Sequence, residues 1–247
     1  MNSLKAAYVN EMFKISKKKK LIVAGILAVF ALLLAAAVVV SIDTIVGIRL
    51  ASSGNFALLV LPFLMYTLIP LFSAFICIDM FSGEFTSETI KLTLTRPASR
   101  FKIFLAKTLA SATFTAAFLA FTLAVSLVFS AFFDITVKSA SDAITAYIAA
   151  FVPLFILSQL VILISNLARG SASAFMLSVI IFITFKALEM FIPQLRSFFF
   201  TAGFDWYNLI IGTTAHIGKI LRLFTLFVGY AVSLFAAGYY FFEKRAI

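Results

Sequence analysis

Six long hydrophobic segments constrain the fold of this chain more than any other feature. Each is long enough for an α-helix to cross a hydrocarbon core of roughly 30 Å, which takes about 20 residues. Backbone polar groups in that core find no water, so each segment is expected to be helical. The predicted spans are residues 21–42, 56–78, 103–133, 144–167, 173–192 and 223–242.

Composition supports an all-α membrane protein with a single transmembrane domain, residues 1–247. Hydrophobic residues make up 63% of the chain and charged residues 12%, against roughly 45–50% and about 25% in soluble domains. No polar stretch is long enough for a separate soluble domain. The first hydrophobic segment exceeds the roughly 7–15 residues of a signal peptide, so we expect a permanent span.

The N-terminal residues predict a short amphipathic helix before the first span. Apolar side chains recur there at helical spacing: Leu4, Ala7 or Tyr8, Met12 and Ile15. Glu11 and Lys14 lie off that stripe, which fits a helix in the membrane interface; a polar tail is the alternative. The lysine run 17–20 is expected to attract anionic lipid headgroups.

A patterned polar stretch, residues 79–107, separates the second and third spans. Gly83 is expected to break the preceding helix, and Glu84 and Glu88 lie one helical turn apart. Pro97 disfavours helical backbone at the residue before it, so a short helix should end there. A short charged helix at a membrane surface suits docking of a soluble partner.

The start of the third span carries two further signals. Ser99 can cap a helix that begins near Arg100, and Lys107 is expected to extend its side chain back to the water at the surface. Alanines at every fourth position form a stripe for close helix packing, within one chain or between two copies. They are Ala112, Ala116, Ala120 and Ala124.

Prolines and polar residues inside other spans mark candidate functional positions. Pro62 and Pro70 should kink the second span, either because they line a pathway or because proline is common in membrane helices. Gln159 is expected to face protein, through an interhelical hydrogen bond, or a wet cavity on a substrate route. Lys186 and Glu189, three residues apart, predict an ion pair that is either structural or part of an outer gate.

The segment between the fifth and sixth spans, residues 193–222, is rich in aromatic residues, but neither half can cross a membrane. We expect a pair of short outer helices around Gly203 and Gly212. Phe199 and Trp206 are further candidates for the outer gate. The sixth span repeats the small-residue pattern at Gly229, Ser233 and Ala237.

Charge placement predicts the orientation. Most of the 20 basic residues fall on the side that holds both termini. The positive-inside rule assigns that side to the cytoplasm. We expect the protein to lie in the plasma membrane. The net charge of +10 is therefore interpreted as a signal of membrane orientation, and no nucleic-acid partner is expected.

No catalytic residue, metal site or cofactor is predicted within this chain. His216 is the only histidine, which excludes two-histidine zinc motifs. Residues 212–219 resemble a phosphate-binding loop, but five residues instead of four separate the glycines, and Ile220 replaces the required hydroxyl residue. Transport driven by ATP would therefore need ATP and magnesium bound to a separate subunit.

The polar stretch resembles the first cytoplasmic loop of ABC-2-type transporter permeases. The matching residues are Gly83-Glu84, Glu88-Thr89, Leu92, Arg96-Pro97, Ser99-Arg100 and Lys107. The chain departs from the family pattern at Thr86, where a glutamate is common, and at residues 87–89, where a Gly-Thr is common. The layout of six spans is also similar.

This resemblance implies a permease, most naturally an exporter. The apolar, aromatic-rich composition with few charges suits a hydrophobic or amphipathic substrate. It implies partners as well: cytoplasmic ABC ATPase subunits and a second permease, identical or related, within a lipid membrane. The loop would be the coupling helix that contacts the ATPase, and reversing the charges of Glu84 and Glu88 should uncouple ATP hydrolysis from transport. The implied coupling residues are Gly83, Glu84, Glu88, Thr89, Leu92, Arg96, Pro97 and Arg100.

Two alternative functions remain open at the level of sequence. One is a non-transporting membrane subunit that passes ATPase motions to an outer partner, although the short outer loops offer little docking area. The other is an ion-driven secondary carrier, a class that usually buries ionisable residues near the membrane midplane. No such residue is evident near the midplane of these spans.

Overall fold

The structure of this protein, a computed structural model, is helical and contains no strand in the residues that it describes. These are residues 3–46, 56–86, 99–133, 136–168, 170–192, 194, 196, 198–211 and 217–244. The α-helices are α1 (Ser3–Ser16), α2 (Lys19–Val46), α3 (Phe56–Tyr66), α4 (Leu68–Met80), α5 (Ser82–Thr86), α6 (Arg100–Ser130), α7 (Val137–Leu167), α8 (Ser171–Phe191), α9 (Asn208–Ile211) and α10 (Ile217–Lys244). Short 3₁₀ helices occupy Ala131–Phe133 and Phe200–Gly203.

Six helices in this part of the chain are long and apolar enough to cross a membrane, which confirms the predicted all-α, six-span class. Their limits differ from the predicted ones at several ends. The fourth span begins at Val137 instead of Ile144, because Thr136 and Ser139 form a capping box at its start. The sixth begins at Ile217 instead of Leu223.

The predicted second span, residues 56–78, is divided into two helices at Thr67. Pro70 lacks an N–H, and its ring would clash with the carbonyl group of Tyr66 in a continuous helix. Thr67 accordingly adopts φ −124° and ψ −80°. Pro70 then lies in the first turn of α4, where a backbone N–H has no helical partner anyway. Pro62 stays inside α3.

The third span, α6, packs through hydroxyl-bearing residues and not through the predicted alanine stripe. Ala116, Ala120 and Ala124 are exposed, so the expectation that this stripe packs within the chain is wrong; packing between two copies stays a prediction. Small hydroxyl residues allow the same close approach and add hydrogen bonds across helices. The pairs are Thr115 with Ser73, Ser126 with Tyr147, and Ser130 with the backbone N–H of Ala57.

The sixth span, α10, likewise does not pack through its predicted small-residue strip. Gly229 and Ser233 are exposed, and a Cβ atom at Gly229 would meet nothing within 4 Å. The buried contact lies further along, where the Gly238 carbonyl accepts a hydrogen bond of 3.2 Å from the Asn166 side chain. A Cβ atom at Gly238 would lie 3.3 Å from the Phe104 ring, so this position brings α10 close to α6 and α7.

Two short helices occupy the segment between the fifth and sixth spans, one ending at Gly203 and the other being α9. Gly212 lies outside the described residues. The first short helix packs tightly on α10, because a Cβ atom at Gly203 would lie 2.6 Å from Cζ of Phe227. Phe227 is buried and its ring contacts that of Trp206 at 5.4 Å. The ring therefore has little room to move.

We predict that Gly203→Ala destabilises the folded protein by about 1–3 kcal/mol, the typical cost of overpacking a buried site. Gly218→Ala is the matched control, since a Cβ atom there would meet nothing within 4 Å and alanine favours helix. Thermal unfolding in detergent measures both. Equal midpoints for the two variants would contradict the tight contact with Phe227.

Candidate functional site

Four charged side chains from three helices form a closed ring of ion pairs at one end of the bundle. This charge cluster consists of Glu11 and Lys14 on α1, Glu84 on α5 and Lys107 on α6. The Lys107 ammonium lies 2.8 Å from Glu84 and 3.2 Å from Glu11. The Lys14 ammonium lies 3.0 Å from Glu84 and 3.2 Å from Glu11. Each carboxylate therefore bridges both ammonium groups.

Most of the charge cluster is removed from solvent. Lys107 is 0% exposed and Glu11 3%, while Lys14 keeps 36% of its side chain exposed. The Lys107 ammonium also donates a hydrogen bond of 3.0 Å to the Met80 carbonyl at the end of α4. Because buried charges are costly unless paired, two cations and two anions in one ring satisfy each other.

The charge cluster overturns two sequence expectations. Lys107 was expected to reach surface water, but its ammonium is enclosed, because the carboxylates of Glu11 and Glu84 come to it. Glu11 was expected on the polar side of the N-terminal helix, off its apolar stripe, but it is buried. The reason is that α1 packs on α6, so the face of α1 next to Lys107 supplies a counter-charge. The helix itself, Ser3–Ser16, coincides with the predicted one.

Lys14 remains protonated in this environment. Burial alone would lower the pKa of its ammonium group, but the neighbouring carboxylates of Glu11 and Glu84 outweigh burial and raise the pKa above the ordinary lysine value. Lys14 therefore keeps its charge throughout the physiological range.

The described part of the polar stretch is anchored to the bundle at both ends. Before the stretch, α4 ends at Met80, ahead of Gly83, which lies within α5 instead of breaking the helix as predicted. After it, the Ser99 hydroxyl accepts a hydrogen bond from the Lys102 backbone, which confirms the predicted cap. The Arg100 guanidinium donates a bond of 2.7 Å to the Glu243 carbonyl at the end of α10.

Most of the candidate coupling residues lie outside the described residues. These are Glu88, Thr89, Leu92, Arg96 and Pro97. Their role in contact with a partner stays a prediction, as does that of Gly83 and Arg100.

A second group of charges lies beside the charge cluster. The Asp79 carboxylate on α4 accepts a hydrogen bond from Lys18 and lies 3.5 Å from the Lys20 ammonium. These contacts connect the start of α2 to the end of α4. The basic end of the molecule, defined by α1, α5, the starts of α2 and α6 and the ends of α4 and α10, is thus held together by charged side chains from several segments.

A polar cluster also occupies the opposite end. Lys186 and Glu189 on α8 form the predicted ion pair at 2.9 Å. The Lys186 ammonium donates a bond of 2.6 Å to the Thr201 carbonyl, and the Thr201 hydroxyl donates to Glu189. The Tyr66 hydroxyl at the end of α3 donates to Asp205. These residues form the opposite polar cluster, which joins α3 and α8 to the segment before α10.

The two aromatic gate candidates lie in different surroundings. The Phe199 ring stacks on Phe185 of α8, with centroids 5.0 Å apart. The Trp206 indole N–H donates a bond of 2.9 Å to the Ala149 carbonyl of α7, and the side chain is buried. Trp206 therefore attaches the outer segment to α7. A gating role for either residue stays a prediction.

The three pathway candidates are also separated. Pro70 lines an apolar cavity of about 270 Å³ between α4 and α8, together with Ser178 and Phe182. Pro62 lies a helix away on α3. Gln159 is 1% exposed, and its amide has no hydrogen-bond partner among the described residues. It faces protein, but the expected interhelical hydrogen bond is not formed there.

Comparison with known proteins identifies the class of this multi-pass membrane protein. The family described as ABC-2 family transporter protein matches residues 9–185. The match includes all four residues of the charge cluster and extends into α8. The chain therefore belongs to the ABC-2 transporter family, whose members are membrane permeases of ABC transporters. No curated protein matches it significantly.

We predict that Lys107→Met lowers the free energy of unfolding by about 3–5 kcal/mol, because it leaves two buried carboxylates with the Lys14 ammonium as their one remaining counter-charge in the cluster. The double variant Glu84→Gln/Lys107→Met removes one charge of each sign and should recover most of that loss. Thermal unfolding in detergent measures both variants, with the exposed Lys5→Met as control. If the double variant is no more stable than Lys107→Met, the ion pair between Glu84 and Lys107 is not what stabilises the charge cluster.

Proposed function

We propose that the chain is the membrane permease subunit of an ATP-driven ABC exporter. It would pair with a second permease, identical or related, and with cytoplasmic ATPase subunits that bind ATP and magnesium. The basic end would face the cytoplasm, with both termini there, in the plasma membrane. Membership of the ABC-2 family supports the class, and the excess of basic residues at this end supports the orientation.

The observation that carries the coupling proposal is that the residues on both sides of segment 87–98 are anchored to the bundle. Glu84, just before this segment, is held by Lys107 and Lys14. Arg100, just after it, is held by the end of α10. A displacement of the segment by an ATPase would therefore act on α5, α6 and α10 together. Separating a buried pair would leave charges without partners, which is costly and therefore favours movement of these helices as a unit.

This arrangement assigns different roles to the two glutamates of the polar stretch. Glu84 was expected to contact the ATPase, but its carboxylate is occupied by two lysines of the same chain. We assign to Glu84 the role of an anchor for the coupling segment. Glu88, four residues further along the chain, and Arg96 remain the proposed contacts with the partner subunit.

The opposite polar cluster is a proposed outer gate. It connects α3, α8 and the segment before α10 through Lys186, Glu189 and Tyr66. Separation of α4 from α8 would open the apolar cavity of about 270 Å³ that lies between them. An apolar cavity with a few polar groups at its rim suits a hydrophobic or amphipathic substrate.

We predict that Glu88→Lys lowers ATP-dependent transport by about tenfold or more, because like charges placed across an interface cost several kcal/mol. The assay is transport and ATPase stimulation in liposomes that contain the permease and its ATPase subunits. Thermal stability should be unchanged, whereas Glu84→Lys should lose stability because it breaks the charge cluster.

The control is Lys5→Glu, an exposed charge reversal on α1 at the same end of the molecule. It should leave coupling and stability unchanged. Full coupling in Glu88→Lys would reject the proposed contact. Transport that persists without any ATPase subunit would instead favour an ion-driven carrier.

A further inference from the structure

An apolar groove runs along α2, between this helix and the α3–α4 pair. Its first part has a volume of about 580 Å³. The walls carry aliphatic and aromatic side chains, and the only polar residues among those that line it are Lys19, Lys20 and Thr67. Representative wall residues are Val23, Leu27, Phe63, Leu71, Phe75 and Phe118.

We propose that this groove binds one anionic phospholipid, with an acyl chain along α2 and the headgroup phosphate on Lys19 and Lys20. The site is independent of the coupling proposal. It requires only that the basic end lies at a membrane surface.

The charge at the mouth of the groove is not neutralised by the protein. The lysine run 17–20 meets one carboxylate among the described residues, that of Asp79, which already pairs with Lys18. The Lys20 ammonium lies 3.5 Å from Asp79 and 4.7 Å from the Phe75 ring centroid, with 57% of its side chain exposed. Lys19 is exposed and forms no ion pair in this part of the chain. An anionic headgroup complements this excess of positive charge.

The length of the first part of the groove, which begins at the lysines, matches the thickness of one membrane leaflet. Along α2 it extends from Lys19 to Ala31, which is about 18 Å at 1.5 Å per residue. Half of a hydrocarbon core of roughly 30 Å is about 15 Å. A single acyl chain whose headgroup lies at Lys19 would therefore cover these walls.

Beyond Ala31 the groove continues as a second cavity of about 490 Å³, which reaches Val38 and Leu59 and has no charged lining residue. The lysines thus occur at one end only. A lipid has the same asymmetry, with a charged headgroup at one end of an apolar chain. The helix of a second copy would have to cover both parts of the groove.

The test measures lipid binding to the purified full-length protein by native mass spectrometry. The protein in detergent is titrated with phosphatidylglycerol or with phosphatidylcholine of the same acyl chains. We expect one phosphatidylglycerol to bind in preference to phosphatidylcholine. The variant Lys19→Gln/Lys20→Gln should reduce that preference by about 25-fold, which is about fivefold for each lysine. Lys5→Gln is the matched control and should leave it unchanged.

A second pair of variants tests the groove itself. Ala31→Trp fills the groove and should weaken binding of both lipids, whereas Ile26→Trp, on an exposed part of α2 outside this groove, should not. Equal binding of the two lipids by the unmodified protein would overturn the proposal. So would an unchanged preference after loss of both lysines. If Ala31→Trp instead abolishes a dimer that carries no bound lipid, the occupant is a second copy of the chain.

Discussion

The buried ammonium group of Lys107 is the constraint on which the basic end of this protein depends. It is enclosed within the bundle, where an unpaired charge would cost several kcal/mol. Its partners Glu11 and Glu84 come from the N-terminal helix and from the end of the second span. Those two segments can satisfy Lys107 only if α1 and α5 dock on α6 in this register. The N-terminal helix is thus a part of the transmembrane fold and not an appendage.

Ion pairs and hydrogen bonds between distant segments are concentrated at the two ends of the molecule. The middle is held mainly by apolar packing. The charge cluster and the opposite polar cluster each join segments distant in sequence. Between them, the hydroxyl face of α6 supplies the cross-helix bonds of residues such as Thr115 and Ser126. Apolar packing is non-directional. The directional contacts that fix how these helices pair are therefore more numerous at the two ends than in the middle.

Much of the layout could be predicted, because it depends on properties of single helices. Span number, the cap at Ser99 and the pair between Lys186 and Glu189 are all encoded at helical spacing or at a helix end. The charge cluster could not be assembled in this way, since its members lie on different helices. A lysine within a predicted span does require a counter-ion, and that requirement was the one signal that pointed to a partner for Lys107. It did not identify Glu11.

The sequence by itself determined that this chain crosses a membrane six times as helices, because length and hydropathy leave the backbone no other way to satisfy its polar groups in lipid. It also determined where several of those helices start. Only the tertiary structure decided which face of each helix is buried. In a membrane, apolar side chains suit lipid as well as protein, so Ala116, Ala120 and Ala124 of α6 face outward while most of its serines and threonines pack. The pairing of Glu84 with Lys107 likewise depends on which faces of α5 and α6 meet, and only the tertiary structure decides that.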